Sequence, residues 1–188
     1  MNEQYYLDSD IQEICNNLKK KLKFFSGKKF LISGANGFLG KYFIKTLLVM
    51  NKDLKKKIKI LAIDIKFDKC EIYLDKNVKK IKQDINNIKK ISFRSDYVLH
   101  AAGIPSPKHY FNKPIEAIFT SITGTKKLLE YSKKNKSKFI FFSSSEIYGN
   151  PDKKNIPTKE TYNGNVSCIE DRSCYDEGKR VGETLCYF

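Results

Sequence analysis

At 188 residues and 21.8 kDa the chain has room for one domain with a sizeable core, not for two. Its 40% apolar and 13% aromatic content excludes a disordered chain, and no apolar run approaches the roughly 18 residues that a membrane span needs. The formal charge of +15 rests on 33 Lys and only three Arg (Arg94, Arg172, Arg180), spread along the chain beside abundant Asn and Ile; this reads as a solvated lysine surface rather than a nucleic-acid reader built on arginine forks.

Residues 8–25 predict an amphipathic helix, with Ile11, Ile14, Leu18, Leu22 and Phe25 at 3–4 spacing and Asp8 or Ser9 able to cap its start. Lysines at 19–23 suit the negative end of its dipole, and the helix is expected to pack on the domain beginning at Lys28. From Lys28 strand and helix alternate. Lys29–Ser33 is a short buried strand, Phe38–Met50 a helix, and Ile58–Asp64, Val78–Gln83, Tyr97–Ala101 and Phe139–Ser143 are further strands. Pro114 opens a long helix to about Lys134, with Ile115, Ile118, Ile122, Leu128 and Leu129 on one side; a last helix runs from near Ser173 to Phe188. Strands joined by crossover helices predict an α/β fold: a Rossmann-like, doubly wound parallel sheet with helices on both faces.

Five cysteines (Cys15, Cys70, Cys168, Cys174, Cys186) contain no CxxC pair, and the only histidines are His100 and His109. A disulfide framework, a zinc knuckle or a His-rich metal site is therefore not expected. Met1 to Asp10 shows no apolar signal-peptide core, so the expectation is a soluble cytoplasmic protein without metal, nucleic acid or membrane partner.

Gly34-Ala35-Asn36-Gly37-Phe38-Leu39-Gly40 is a G-x-x-G-x-x-G turn between a strand and a helix. Gly34 permits the tight turn, Gly37 lets backbone approach a pyrophosphate, and Gly40 lets the helix pack close to the strand. The helix N-terminus then faces the phosphate anion. Asp64, ending the second strand, can accept hydrogen bonds from ribose hydroxyls and repel a 2′-phosphate, which points to NAD rather than NADP. The expected organisation is an N-terminal helix over 1–27 and an NAD-binding Rossmann domain over 28–188.

Tyr175 and Lys179 stand one helical turn apart and share a face. Using a phenol as a base near pH 7 costs about 4 kcal/mol from its reference pKa, and an ammonium beside it shifts the balance toward phenolate. Ser144, just past the fifth strand, can hydrogen-bond the same substrate oxygen at the carboxyl edge where such sheets bind ligands.

Three further segments carry a family resemblance: Ser106-Pro107-Lys108-His109-Tyr110, Ser143-Ser144-Ser145-Glu146-Ile147-Tyr148-Gly149, and the block from Gly164-Asn165-Val166 through Arg172-Ser173-Cys174-Tyr175-Asp176-Glu177-Gly178-Lys179-Arg180-Val181. The chain resembles the extended short-chain dehydrogenase/reductases of the NAD-dependent epimerase/dehydratase group over about residues 28–188, and within it the UDP-glucuronate decarboxylases most. That resemblance implies a cycle in which hydride passes from C4 of the sugar to NAD⁺ while Tyr175 removes the hydroxyl proton. The 4-keto sugar, a β-keto acid, then loses CO₂, and the hydride returns to give UDP-xylose. It implies catalytic roles for Ser144, Glu146, Tyr175 and Lys179. Cofactor contacts would come from Gly34, Asn36, Gly37, Phe38, Leu39, Gly40, Asp64, Asp84, Ile85, Ala101, Ala102 and Gly103 together with Tyr175 and Lys179. Substrate contacts would come from Pro107, His109, Tyr110, Ser145, Glu146 and Arg172.

Ser145 stands where the dTDP-glucose 4,6-dehydratases resembled here carry an aspartic acid that expels the 6-hydroxyl; losing that acid favours decarboxylation. The alternatives are 4,6-dehydration, UDP-sugar 4-epimerisation, or an NAD-binding fragment without turnover. Two features depart from the family pattern: Ser167-Cys168-Ile169-Glu170-Asp171 lacks an Asn and a Pro, and Ser121 replaces an Asn of the long helix. The resemblance also implies a homodimer through the Pro114 and Tyr175 helices, and a sheet truncated here before its last strands and substrate domain.

Overall fold

Lys29–Ser33 forms the central strand β1 because Phe30, Leu31, Ile32 and Ser33 are all buried, a burial on both faces that only a covered parallel sheet provides. The structure, a computed structural model, describes residues 6–104 and 106–188. In chain order the helices and strands are α1 (Asp8–Leu18), α2 (Leu22–Phe25), β1, α3 (Phe38–Met50), β2 (Lys59–Asp64), β3 (Val78–Lys82), β4 (Tyr97–His100), α4 (Pro107–Tyr110), α5 (Pro114–Phe119), α6 (Thr125–Asn135), β5 (Lys138–Phe141) and α7 (Ser173–Tyr187). The five-stranded parallel sheet has the order β3-β2-β1-β4-β5, so the chain crosses back past β2 and β1 between β3 and β4, as in a Rossmann-like half. Register is set by Leu31 opposite Leu61 and Val98.

Two compact units divide the chain, Met1–Ala102 with Glu130–Ile140 and Gly103–Leu129 with Phe141–Phe188. In the first, Leu31, Ile32, Ile44, Ile58, Ile60, Leu61, Ile63 and Val98 are at most 1% exposed. Each such side chain contributes about 1.5–3 kcal/mol. The turn into β2 is clamped by Asn51, whose side chain donates to Ile58 O (3.1 Å) and accepts from Ile58 N (2.7 Å). In the second unit, α5 and the segment after it pack on α7, and Gly178 makes that approach possible: a Cβ there would stand 3.2 Å from the Cβ of Ser121.

Three sequence expectations change. The N-terminal helix is not continuous: it breaks into a 3₁₀ turn at Lys19–Lys21 before α2, where Phe25 stacks on Phe30 and Phe30 on Tyr97. Neither Asp8 nor Ser9 caps α1. Leu7 occupies the cap position, its N–H donating to the Tyr42 hydroxyl (3.1 Å), while Asp10 accepts from the same hydroxyl at 2.9 Å. The long helix after Pro114 is interrupted by a π segment at Thr120–Gly124, and its buried face is Ala117, Ser121, Thr125 and Leu128 rather than the expected isoleucines, with Ile115 59% exposed. A π turn adds a residue and so shifts the phase of everything before it.

Candidate functional site

In the first unit the glycine turn is a backbone cradle. Gly34 has φ 69°, and a Cβ there would stand 2.5 Å from the backbone of Ala101 and Ala102. Gly37 caps α3 without any side-chain hydrogen bond, so the first-turn N–H groups from Phe38 onward lie ahead of the first helical acceptor. The Phe38 and Leu39 side chains beside them are exposed. This is the arrangement that receives an anion.

Asp64 ends β2, with Oδ2 accepting from Asn36 N (2.8 Å) and Oδ1 from Lys66 N (3.3 Å). Its carboxylate is thereby fixed beside the turn, with lone pairs remaining for ribose hydroxyls. Asp84 caps the 3₁₀ turn Ile85–Asn87, accepting from Asn86 N at 2.9 Å, and Ile85 is buried. Ala101 prolongs β4 by donating to Ser33 O (3.1 Å). Glycine cradle, helix N-terminus and strand-end carboxylate together fit a dinucleotide.

In the second unit the chemistry-bearing residues gather around the start of α7. Tyr175 is 8% exposed and its ring stacks on Tyr110, with centroids 5.5 Å apart and planes 11° apart. Lys179, one turn on, lies under it. Its Nζ donates to Phe142 O (2.5 Å) and sits 4.8 Å from the Phe141 ring and 5.7 Å from the Tyr175 ring. Burial pushes the Lys179 ammonium down to about 8. Gly103 lies alongside, where a Cβ would come 4.0 Å from Nζ.

Ser144 caps the 3₁₀ turn Ser145–Tyr148, its Oγ accepting from Glu146 N at 3.3 Å. Glu146 forms an ion pair with Arg172, the residue that opens α7. Tyr110, expected in a substrate loop, is instead 2% exposed. Burial raises its hydroxyl pKa while Arg172 pulls it down. Pro107, His109 and Ser145 stand exposed and outside this cluster of contacts.

Some residues around these groups carry no motif. Lys41 and Asp68 form a close ion pair, and Tyr73 places its hydroxyl 2.8 Å from Ala35 O and 3.2 Å from Asn36 Oδ1. Arg180 ties two loops to α7 by donating to Ile147 O (2.8 Å) and Asn163 O (2.9 Å). Asp176 is buried with Oδ1 lacking a hydrogen-bond partner among the described residues, and burial raises its carboxyl pKa against the pull of Arg172. The only sequence signal for Arg180 and Asp176 is their place in the Tyr175–Val181 block. For Lys41 with Asp68, 27 residues apart, there is none.

The model of the NAD dependent epimerase/dehydratase family matches residues 30–187. The chain belongs to that family. Among curated relatives, UDP-glucuronic acid decarboxylase 1 of Arabidopsis thaliana is 33% identical over 162 residues, covering 84% of this chain and 35% of that protein. UDP-glucuronic acid decarboxylase 1 of Xenopus tropicalis is 28% identical over 208 residues, covering 99% and 47%. The solved UDP-N-acetylglucosamine 4-epimerase of Methanobrevibacter ruminantium, in complex with UDP-N-acetylmuramic acid, is 28% identical with a TM-score of 0.69, over 86% of this chain and 50% of that one. The UDP-glucuronic acid 4-epimerase of Bacillus cereus, in complex with NAD, is 26% identical with a TM-score of 0.67, over 85% and 50%. The chain thus spans between about a third and a half of the length of these family members.

Proposed function

We propose that this chain carries the dinucleotide cradle and the proton-transfer groups of an NAD-dependent nucleotide-sugar enzyme that decarboxylates UDP-glucuronate to UDP-xylose. The observation that carries this reading is the buried Lys179 beneath Tyr175 on α7. At neutral pH, below its pKa of about 8, the lysine is charged and stands 5.7 Å from the Tyr175 ring. Gly34–Gly40 and Asp64 of the first unit hold the dinucleotide, which supplies a reversible hydride acceptor when bound.

Tyr175 takes the proton from the sugar 4-hydroxyl and returns it at the end of the cycle, with Ser144 steadying the same oxygen. A carboxylate β to the resulting ketone leaves as CO₂ because the enolate delocalises onto that ketone; no acid is needed to expel it, and the enolate carbon C5 then takes a proton from water. Ser145, which could not protonate a leaving hydroxyl, is compatible with this and unfavourable for 4,6-dehydration. Glu146, held by Arg172, is assigned the place beside the reacting ring.

UDP-sugar 4-epimerisation is the second reading, favoured by the likeness to solved 4-epimerases. Binding of NAD without turnover is the third reading. Unpaired cysteines throughout fit a reducing, cytoplasmic setting. Exposed Ile115 and Phe119 on α5 fit a helix that pairs with a second copy.

Proton NMR of UDP-glucuronate incubated with the chain and NAD⁺ tests the reading. Appearance of UDP-xylose supports it. UDP-galacturonate assigns the epimerase instead, and unchanged substrate with NAD bound assigns the third reading.

A further inference from the structure

Next to the glycine turn lies an ion pair that the cradle itself does not use. Lys41 follows Gly40 on α3, is only 4% exposed, and donates from Nζ to Asp68 Oδ2 at 2.7 Å. Asp68 in turn donates its main-chain N–H to Asn36 Oδ1 (3.1 Å), and the N–H of Asn36 donates to Asp64 Oδ2 (2.8 Å). A continuous hydrogen-bonded path therefore joins a buried ammonium to the carboxylate expected at the ribose hydroxyls. Tyr73 braces the path at Asn36.

A buried ammonium persists only where it is paired, and Lys41 is paired by a carboxylate whose pKa it lowers. Uncompensated, the same ammonium would be a phosphate-binding group at the other end of that three-bond path from Asp64. With Asp68 in place, the surroundings of the turn offer two carboxylates and a neutralised lysine, which suits a 2′-hydroxyl and opposes a 2′-phosphate.

We propose that Asp68 is a second determinant of cofactor choice: by clamping Lys41 it withholds a cation from the ribose 2′ position, so that the chain takes NAD and rejects NADP. This rests on the dinucleotide reading of the glycine turn.

The test is calorimetric titration of NAD⁺ and NADP⁺ into the full chain, its Asp68→Asn variant and the double variant Asp68→Asn with Lys41→Met. The ratio of NAD⁺ to NADP⁺ affinity is expected to fall at least about tenfold in Asp68→Asn, the gain one charge-assisted contact supplies, and to return toward the parent ratio in the double variant. An unchanged ratio in Asp68→Asn overturns the proposal. So does an equal fall in the double variant, because loss of repulsion alone would then explain it. Asp68→Ser, with and without Lys41→Met, gives an independent arm if Asp68→Asn does not fold: a fall in the ratio that Lys41→Met reverses supports the clamp, and an unchanged ratio refutes it. A folded parent chain that binds neither cofactor overturns the dinucleotide reading and this inference together. NAD⁺ binding with an unmoved ratio overturns this inference alone.

Discussion

Replacing Lys179 with methionine is expected to stabilise the protein near neutral pH while abolishing its chemistry, and the stability gain is expected to shrink as pH rises. Lys179 is 6% exposed, and burial lowers its ammonium from the ordinary 10.5 to about 8. At about 1.36 kcal/mol per pH unit, the charged form is held about 3 kcal/mol uphill in the folded protein. Methionine removes that cost but also the hydrogen bond from Lys179 to Phe142 O, a loss of about 1–3 kcal/mol. The variant should therefore match or exceed the parent by up to about 2 kcal/mol near pH 7.

The sign with pH comes from the order of the two pKa values. The folded value lies below the unfolded one, so the full penalty is carried below about pH 8, and stability rises as pH climbs from about 8 to 10.5. Between about pH 7.5 and 9.5 the parent should gain about 2 kcal/mol relative to Lys179→Met. Urea unfolding of both proteins at the two pH values measures this, with the other lysines and tyrosines cancelling in the difference. Stabilities that run parallel with pH would refute the reasoning.

Other substitutions separate the roles. Tyr175→Phe should keep NAD⁺ affinity by calorimetry while lowering kcat about 10²–10⁴-fold, the contribution of one proton-transfer group. Gly34→Ala must place a Cβ against Ala101 and Ala102 at a positive φ, so its thermal midpoint should fall by at least about 4 °C and NAD⁺ binding should be lost. Arg172→Gln frees Glu146 and removes a cation near Asp176, so the KM for UDP-glucuronate should rise about tenfold with a smaller change in kcat, read from steady-state kinetics.

Short-range pattern was the part of the molecule legible in the sequence. β1 and α3 begin and end where apolar burial and the Gly34–Gly40 turn require, because each boundary is dictated by neighbours a few residues away. Tyr175 and Lys179 come together for the same reason, being one helical turn apart. The face of the Pro114 helix was not legible: small residues Ala117, Ser121 and Thr125 are buried because α5 and the segment after it pack close to α7 at Gly178, and the π segment rotates Ile115 away. Nor was the Lys41–Asp68 pair, which depends on the loop after β2 folding back over α3. The embedding of Tyr110 against Tyr175 likewise arises from packing between distant segments, and its motif alone suggested an open loop.

A dinucleotide site formed by the glycine turn and Asp64 is the central claim, and titration of NAD⁺ into the purified chain by calorimetry tests it most directly. One saturable site per chain for NAD⁺, with much weaker or undetectable binding of NADP⁺, is the predicted result. No binding of either cofactor by the folded chain, or preference for NADP⁺, would contradict it.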